Sequence, residues 1–356
     1  GMEFRGSHIS SVTQFDRAAV ERVFEVADCM QPYARRERRT TALDGAILGN
    51  MFFEASTRTR FSFGCAFNLL GGSVRETSDI KTSSISKGES LYDTARVVSG
   101  YSDIIVMRHP QAGSVDEFAK ASRVPVINGG DGPNEHPSQA LLDLYTIKKE
   151  LHANQRSIDG MRIAMVGDLK HGRTVHSLSQ LLLLYKNISV TLISPTELKM
   201  PSAIVEQLRA AGHSVVETDD MENGLADNDT VYLTRIQEER FSDRLEADMY
   251  RGRFKLNQEI YTRNCAPNTV IMHPLPRDSR AEANELDNDL NAHPNLAIFR
   301  QTDNGVVVRM ALFALILDVV ELVDARATSV AWNTLAASII NHMLWRCTLG
   351  KTHTEN

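Results

Sequence analysis

Ser56-Thr57-Arg58-Thr59-Arg60 is a run of five side chains that all donate hydrogen bonds, set where an apolar stretch ends and a helical pattern begins. The apolar run Ala46 to Phe53 has the length of a strand, and Phe61, Cys65, Ala66, Leu69 and Leu70 then recur at helical spacing before Gly71-Gly72 stops them. Ser56 or Thr57 is therefore expected at a helix start. There the free backbone N–H groups and the positive end of the dipole converge, and the hydroxyls and two guanidiniums add further donors. Such a donor set suits a phosphate. A single hydroxyl followed by an arginine would be an ordinary helix cap, but five consecutive donors are read as a site.

Further along, Arg108-His109-Pro110 ends a strand-like run, and Gly129-Gly130-Asp131-Gly132-Pro133-Asn134-Glu135-His136 leads into a helical pattern. Arg108 and His136 can both hydrogen-bond an oxygen, and Gln139 offers an acceptor and donors one helical turn after His136. In the second half, Gly167-Asp168-Leu169-Lys170-His171-Gly172-Arg173 joins a strand to a helix but lacks the glycine fingerprint of a dinucleotide turn. Arg173 is read instead as an anion donor at a helix start. Arg235 and Gln237 follow another strand and share a side if the backbone stays extended, and His273-Pro274-Leu275-Pro276 holds two prolines that fix the backbone and can present carbonyl oxygens. One anion site in each half, with rigid carbonyls nearby, suggests transfer from a phosphorylated donor to a carboxylated amine.

These residues depend on elements that bring them to common edges. Val20, Val23, Phe24 and Ala27 mark one face of an N-terminal helix, and Arg35-Arg36-Glu37-Arg38-Arg39 is read as a solvated loop. Ser73 to Thr77, Asp103 to Met107 and Pro125 to Asn128 read as strands, alternating with helices at Ser90 to Ser99, Val115 to Ala121 and around Leu141 to Tyr145. Ser78 to Glu89 is a polar loop carrying Lys87. After the polar stretch 152–160 a second series begins, with strands at Met161 to Val166, Val190 to Ile193, Val215-Val216, Val231 to Leu233, Val270 to Met272 and Ala297 to Phe299. Helices are expected at Val175 to Tyr185, Ser202 to Ala211, Val308 to Leu322 and roughly Trp332 to Trp345. Strict alternation implies parallel sheets covered by helices, in which ligands lie at the C-terminal ends of the strands.

Composition limits the partners. The 356 residues fit two domains, and 42% hydrophobic with 24% charged residues is a globular composition. A net charge of −6 argues against a general nucleic-acid surface, so the arginines act locally on small anions. Cys29, Cys65, Cys265 and Cys347 form no metal-binding or paired spacing, and no apolar run reaches membrane-spanning length, so a cytoplasmic enzyme is expected. Gly1 before Met2 is read as an expression remnant.

On these motifs the chain resembles the aspartate/ornithine carbamoyltransferase family, in its aspartate-using branch, from the N-terminal helix to about Leu322. The resemblance implies an α/β fold of two doubly wound parallel-sheet domains with the active site in the cleft between them. Residues 1–151 would bind carbamoyl phosphate, with the C-terminal helices 306–356 packing back on them, and 152–305 would bind aspartate. It implies transfer of the carbamoyl group to the aspartate amine, in de novo pyrimidine biosynthesis, without metal or organic cofactor. Carbamoyl phosphate would be held by Ser56, Thr57, Arg58, Thr59, Arg108, His136 and Gln139, together with Ser83 and Lys87 from a neighbouring subunit's mobile loop. Lys87, Arg173, Arg235, Gln237, Pro274 and Leu275 would hold aspartate, and Arg58, Thr59, Lys87, Arg108 and His136 would be catalytic. Shared sites imply a homotrimer, compatible with larger assemblies that include a regulatory chain, and no nucleic-acid or membrane partner.

Two departures stand out. Ornithine-using relatives carry cysteine after the corresponding histidine, and Pro274 here favours aspartate; Ser86 stands where some members have a second basic residue beside the lysine. Beyond Leu322 the tail places Trp332, Leu335, Ile339 and Met343 on one apolar face and is expected to pack on the body. The competing readings are a dinucleotide-dependent oxidoreductase, against which the missing glycines count, and a non-catalytic ligand-binding relative.

Overall fold

The computed structural model describes residues 2–77, 87–236, 243–250, 253–280 and 283–334. The first alternating series comprises α1 (Arg17–Ala34), β1 (Arg38–Thr40), β2 (Ile47–Phe52), α2 (Thr57–Leu69), β3 (Ser73–Thr77), α3 (Leu91–Val98), β4 (Ile104–His109), α4 (Ser114–Ala121), β5 (Val126–Asp131) and α5 (Pro137–Ala153). The second comprises β6 (Arg162–Val166), α6 (Arg173–Leu182), β7 (Ser189–Ile193), α7 (Ser202–Ala210), β8 (Ser214–Thr218), α8 (Met221–Gly224), β9 (Thr230–Leu233), α9 (Arg244–Tyr250), α10 (Gln258–Asn264) and β10 (Val270–Met272). The chain ends its described course with α11 (Ile298–Ile316), α12 (Val320–Ala325) and β11 (Ala327–Ser329). Two compact units result: described residues up to Leu142 and from Asp303 onward form one, and Asp143–Thr302 the other.

In the first unit four parallel strands run in the order β3-β2-β4-β5. The order reverses between β2 and β4, so right-handed crossovers put α2 on one face and the helices leading to β4 and β5 on the other. Alternate residues serve the two faces. Met51, Phe53, Ile105 and Met107 join Val115 and Phe118 in one buried cluster. On α2, Phe63 and Phe67 meet Phe313 of α11 edge-on, with ring centroids 6.0 and 5.0 Å apart, contacts typically worth ~0.5–1.5 kcal/mol each beyond their burial.

In the second unit five parallel strands run in the order β10-β9-β6-β7-β8, reversing between β6 and β9. Ala164, Val166, Val231, Leu233 and Ile271 pack with Met221, Leu225, Tyr261 and Leu286 over one face. Strands buried this fully read as continuous apolar runs, which is why they were visible in the sequence.

Several expectations are corrected. Ala297 to Phe299 is not a strand: Leu296 makes one isolated bridge to Ile271, and Ile298 opens α11. A short apolar run does not distinguish strand from helix by period. Val308 to Leu322 is likewise split, since α11 begins at Ile298 and stops at Ile316 before α12. Within the cluster read as a solvated loop, Arg38 and Arg39 pair antiparallel with Ser329 and Thr328. Trp332 is exposed and outside any helix, and the remainder of the expected tail helix lies outside the described residues. Among the described residues no helix is long and apolar enough to cross a membrane.

Candidate active site

The order reversal in the first unit creates a crevice at the C-terminal ends of β2 and β4, the position where parallel sheets bind ligands. The run singled out in the sequence emerges there. Ser56 caps α2 in extended conformation without a side-chain capping bond, so its hydroxyl is not spent on the helix it begins. The amides of Thr57, Arg58 and Thr59 have no intrahelical acceptor by the geometry of a helix start. Asn50, buried in β2, donates from Nδ2 to the Arg60 carbonyl at 3.0 Å and so pins this first turn to the sheet. The two guanidiniums divide: Arg60 lies 4.0 Å from Glu76, whereas desolvation lowers Arg58 from the ordinary arginine value and leaves it a cation at neutral pH.

Arg108, the neighbour of Phe52 across the β2–β4 pair, is buried and donates from Nε to the Gly129 carbonyl at 2.8 Å. Its guanidinium carbon also lies 5.9 Å from the centre of the Phe52 ring. The next strand, β5, delivers His136. The connecting turn is organised by Asp131, whose buried carboxylate accepts from Gly113 N at 2.9 Å, Asn134 Nδ2 at 3.0 Å and Glu135 N at 2.9 Å. His136 immediately precedes α5, is buried, and its carbonyl accepts from Gln139 N at 3.1 Å. Ser56 to Thr59 and His136 thus follow β2 and β5, and Arg108 sits in the last residues of β4 between them, so all lie at one edge of three adjacent parallel strands, with half-buried Gln139 a turn into α5. Lys87 is exposed at the start of the segment leading to α3; Ser83 lies outside the described residues.

The second unit repeats the plan. Arg173 opens α6 after β6, Thr234 and Arg235 follow β9, and His273-Pro274-Leu275 follows β10, again three adjacent parallel strands. Gly167 has φ +124, and a Cβ there would lie 2.3 Å from the Thr234 carbonyl oxygen. The glycine thus lets two backbones approach, which removes it as a sign of a dinucleotide turn. Asp168, fully buried, accepts from His171 N at 3.0 Å and lies 3.0 Å from its Nδ1, closing the loop that leads to Arg173. Arg280 holds the Asp278 carboxyl below the ordinary range, and the charge of Arg235 adds to the effect. Leu275 is non-glycine at φ +57. Gln237 lies outside the described residues.

Sequence reasoning missed the groups that hold these edges. Arg309 of α11, also buried, donates from Nη1 to Ser62 Oγ at 2.8 Å and from Nε to Ser138 Oγ at 3.2 Å, so one guanidinium ties α2 to α5. Its carbon stands 4.7 Å from the centre of the Phe63 ring. An arginine within the apolar run from Val306 to Leu317 was the available signal. Asp131 was legible as an acidic residue between glycines. Among the described residues no cluster of His, Cys, Asp or Glu could hold a metal ion.

A family model described as aspartate/ornithine carbamoyltransferase, carbamoyl-P binding domain, matches residues 7–149, and its partner model, the Asp/Orn binding domain, matches 159–316. The chain is 70% identical over 331 residues to the aspartate carbamoyltransferase catalytic subunit of Saccharophagus degradans, covering 93% of this chain and 98% of that one. It is equally 70% identical over 331 residues to the corresponding subunit of Cellvibrio japonicus, with the same coverage of 93% and 98%. Among solved structures, the catalytic subunit of M. jannaschii aspartate transcarbamoylase is similar at 42% identity and TM-score 0.80, over 88% of this chain and 98% of that one. The Trypanosoma cruzi enzyme in complex with carbamoyl phosphate and aspartate is similar at 37% identity and TM-score 0.80, over 88% and 98%.

Proposed function

We infer from the chain's sequence and fold, which belong to the aspartate/ornithine carbamoyltransferase family, that it transfers the carbamoyl group of carbamoyl phosphate to the amine of L-aspartate. The products are N-carbamoyl-L-aspartate and phosphate, a reaction of pyrimidine biosynthesis. The observation that carries the choice of acceptor is the second edge: Arg173 and Arg235, in the connections that follow the adjacent strands β6 and β9, suit two carboxylates, whereas the cationic side chain of ornithine would be repelled. Pro274 after His273 agrees with that choice.

Ser56, Thr57, Arg58, Thr59 and Arg108 bind the phosphate at the first edge, with Gln139 on the carbamoyl group. Thr59, Arg108 and His136 point donors at the carbonyl oxygen. As the aspartate amine attacks carbon, that oxygen gains charge, and donors already in place stabilise it in the tetrahedral intermediate more than in the bound substrate. The C–O bond to phosphate then breaks, and the departing phosphate can take the proton from the newly bonded aspartate nitrogen. Arg173, Arg235 and Gln237 hold the carboxylates, and the Pro274 and Leu275 carbonyls accept from the reacting nitrogens. This division gives the donor to residues 1–151 and the acceptor to 152–305, bounds that lie near the breaks between the two compact units at Leu142 and Thr302.

Ser83 and Lys87 complete a neighbour's site in a homotrimer, with Lys87 also reaching the aspartate; larger assemblies with a regulatory chain are compatible with this. A cytoplasmic location is supported by Cys29, Cys65 and Cys265 being free thiols. The test is phosphate release from carbamoyl phosphate with aspartate, ornithine or no acceptor: release with aspartate alone supports the assignment, and release with ornithine defeats it.

A further inference from the structure

The segment after β10 is held by a buried polar chain that the reaction as written leaves unused. His273 is 1% exposed, its Nδ1 lies 2.8 Å from Leu275 N, and its Nε2 lies 2.5 Å from Glu285 Oε1. A backbone N–H can only donate, so Nδ1 must be the unprotonated nitrogen. The ring proton then sits on Nε2, which donates a hydrogen bond to the buried Glu285 carboxylate. Glu285 also accepts from Asp278 N at 3.3 Å, beyond the second proline. On the other side, His273 N donates to Gln301 Oε1 at 3.0 Å, Gln301 Nε2 donates to Asp143 Oδ1 at 2.8 Å, and Asp143 Oδ2 accepts from the Tyr232 hydroxyl at 2.7 Å. Burial, with the Asp143 charge adding, raises the Tyr232 phenol well above its ordinary value, so it stays a donor.

This chain fixes a backbone that would not hold itself. Leu275 at φ +57 is in the left-handed region, which costs a side-chain-bearing residue about 1–2 kcal/mol. A hydrogen bond to its amide offsets that cost and sets the direction of the flanking carbonyls. We propose that His273 is a positioning residue: kept by Glu285 as the tautomer protonated on Nε2, it uses Nδ1 to anchor the Leu275 amide and so aims the Pro274 and Leu275 carbonyls at the acceptor amine. The proposal rests on the assignment of Pro274 and Leu275 to the acceptor.

Two variants separate the ring nitrogens. His273→Asn keeps an acceptor near the place of Nδ1, whereas His273→Gln reaches toward Glu285 and removes it. In peptide 273–277 only His273, Leu275 and Arg277 carry exchangeable amides, because 274 and 276 are prolines, so hydrogen exchange reads the Leu275 bond almost directly. His273→Gln should speed exchange in this peptide and raise the aspartate KM about tenfold, the equivalent of one net hydrogen bond, with the carbamoyl phosphate KM unchanged. His273→Asn should stay near the parent on both readouts. Should the buried substitution fold poorly, Glu285→Gln, which retains an acceptor for Nε2–H, should outperform Glu285→Ala in aspartate KM. Equal losses in the paired variants, or a parallel rise in both substrate constants, would overturn the proposal as mere structural damage. Exchange unchanged in His273→Gln would overturn the anchor itself. Faster exchange with an unchanged aspartate KM would overturn it differently, by striking the assignment of Pro274 and Leu275 to the acceptor.

Discussion

Arg108 Nε reaches the Gly129 carbonyl at 2.8 Å because the residue after that carbonyl has no side chain. Gly130 sits at φ +123, and a Cβ there would lie 2.8 Å from Arg108 Nε. Gly130→Ala is therefore expected to strain the backbone by ~1–3 kcal/mol and to displace the guanidinium. Chemical denaturation and the carbamoyl phosphate KM measure the two effects. A stability loss with an unchanged donor KM would show that Arg108 does not rely on this glycine.

His136 is assigned to the oxyanion. His136→Ala should lower kcat by about 10²–10³, the usual effect of losing one such donor. Steady-state kinetics with both substrates varied decides the matter, because a change confined to either KM would make His136 a binding residue only.

The anchor at Ser56 was legible in the sequence because strand and helix periods change within a few residues and the donors fall at the change. Arg173, Arg235 and the 273–276 segment were legible for the same reason, each following a fully buried strand whose apolar run is unmistakable. What escaped was whatever depends on long-range pairing. Nothing local marks Arg38 and Arg39 as partners of Ser329 and Thr328. Glu285 looks like one acidic residue among several in its segment, and only folding brings it to His273 Nε2. Arg309 presents the opposite case, a charge inside an apolar run whose burial could have been suspected but whose partners Ser62 and Ser138 could not.

Sharing of sites between subunits makes a prediction that single variants cannot test. If Lys87 serves a neighbour's site while Arg108 serves its own, Lys87→Ala and Arg108→Ala break different halves of each composite site. Refolded together, with one variant tagged so that the hybrid is isolated, they should recover a fraction of the parent activity, while each alone stays near zero. A verified hybrid no more active than its parents would place Lys87 at its own chain's site.

The central claim is that the β2–β4 edge holds the donor and the β6–β9–β10 edge the acceptor. Arg108→Ala and Arg235→Ala test it as a pair, with KM for each substrate measured at saturating concentration of the other. Each loss of a charge-assisted contact is expected to cost ~1.5–3 kcal/mol, roughly tenfold or more. Arg108→Ala should lower kcat and raise the carbamoyl phosphate KM, leaving the aspartate KM nearly unchanged; Arg235→Ala should raise the aspartate KM and leave carbamoyl phosphate nearly unchanged. Aspartate kinetics untouched by Arg235→Ala, or the same pattern from both variants, would contradict the account.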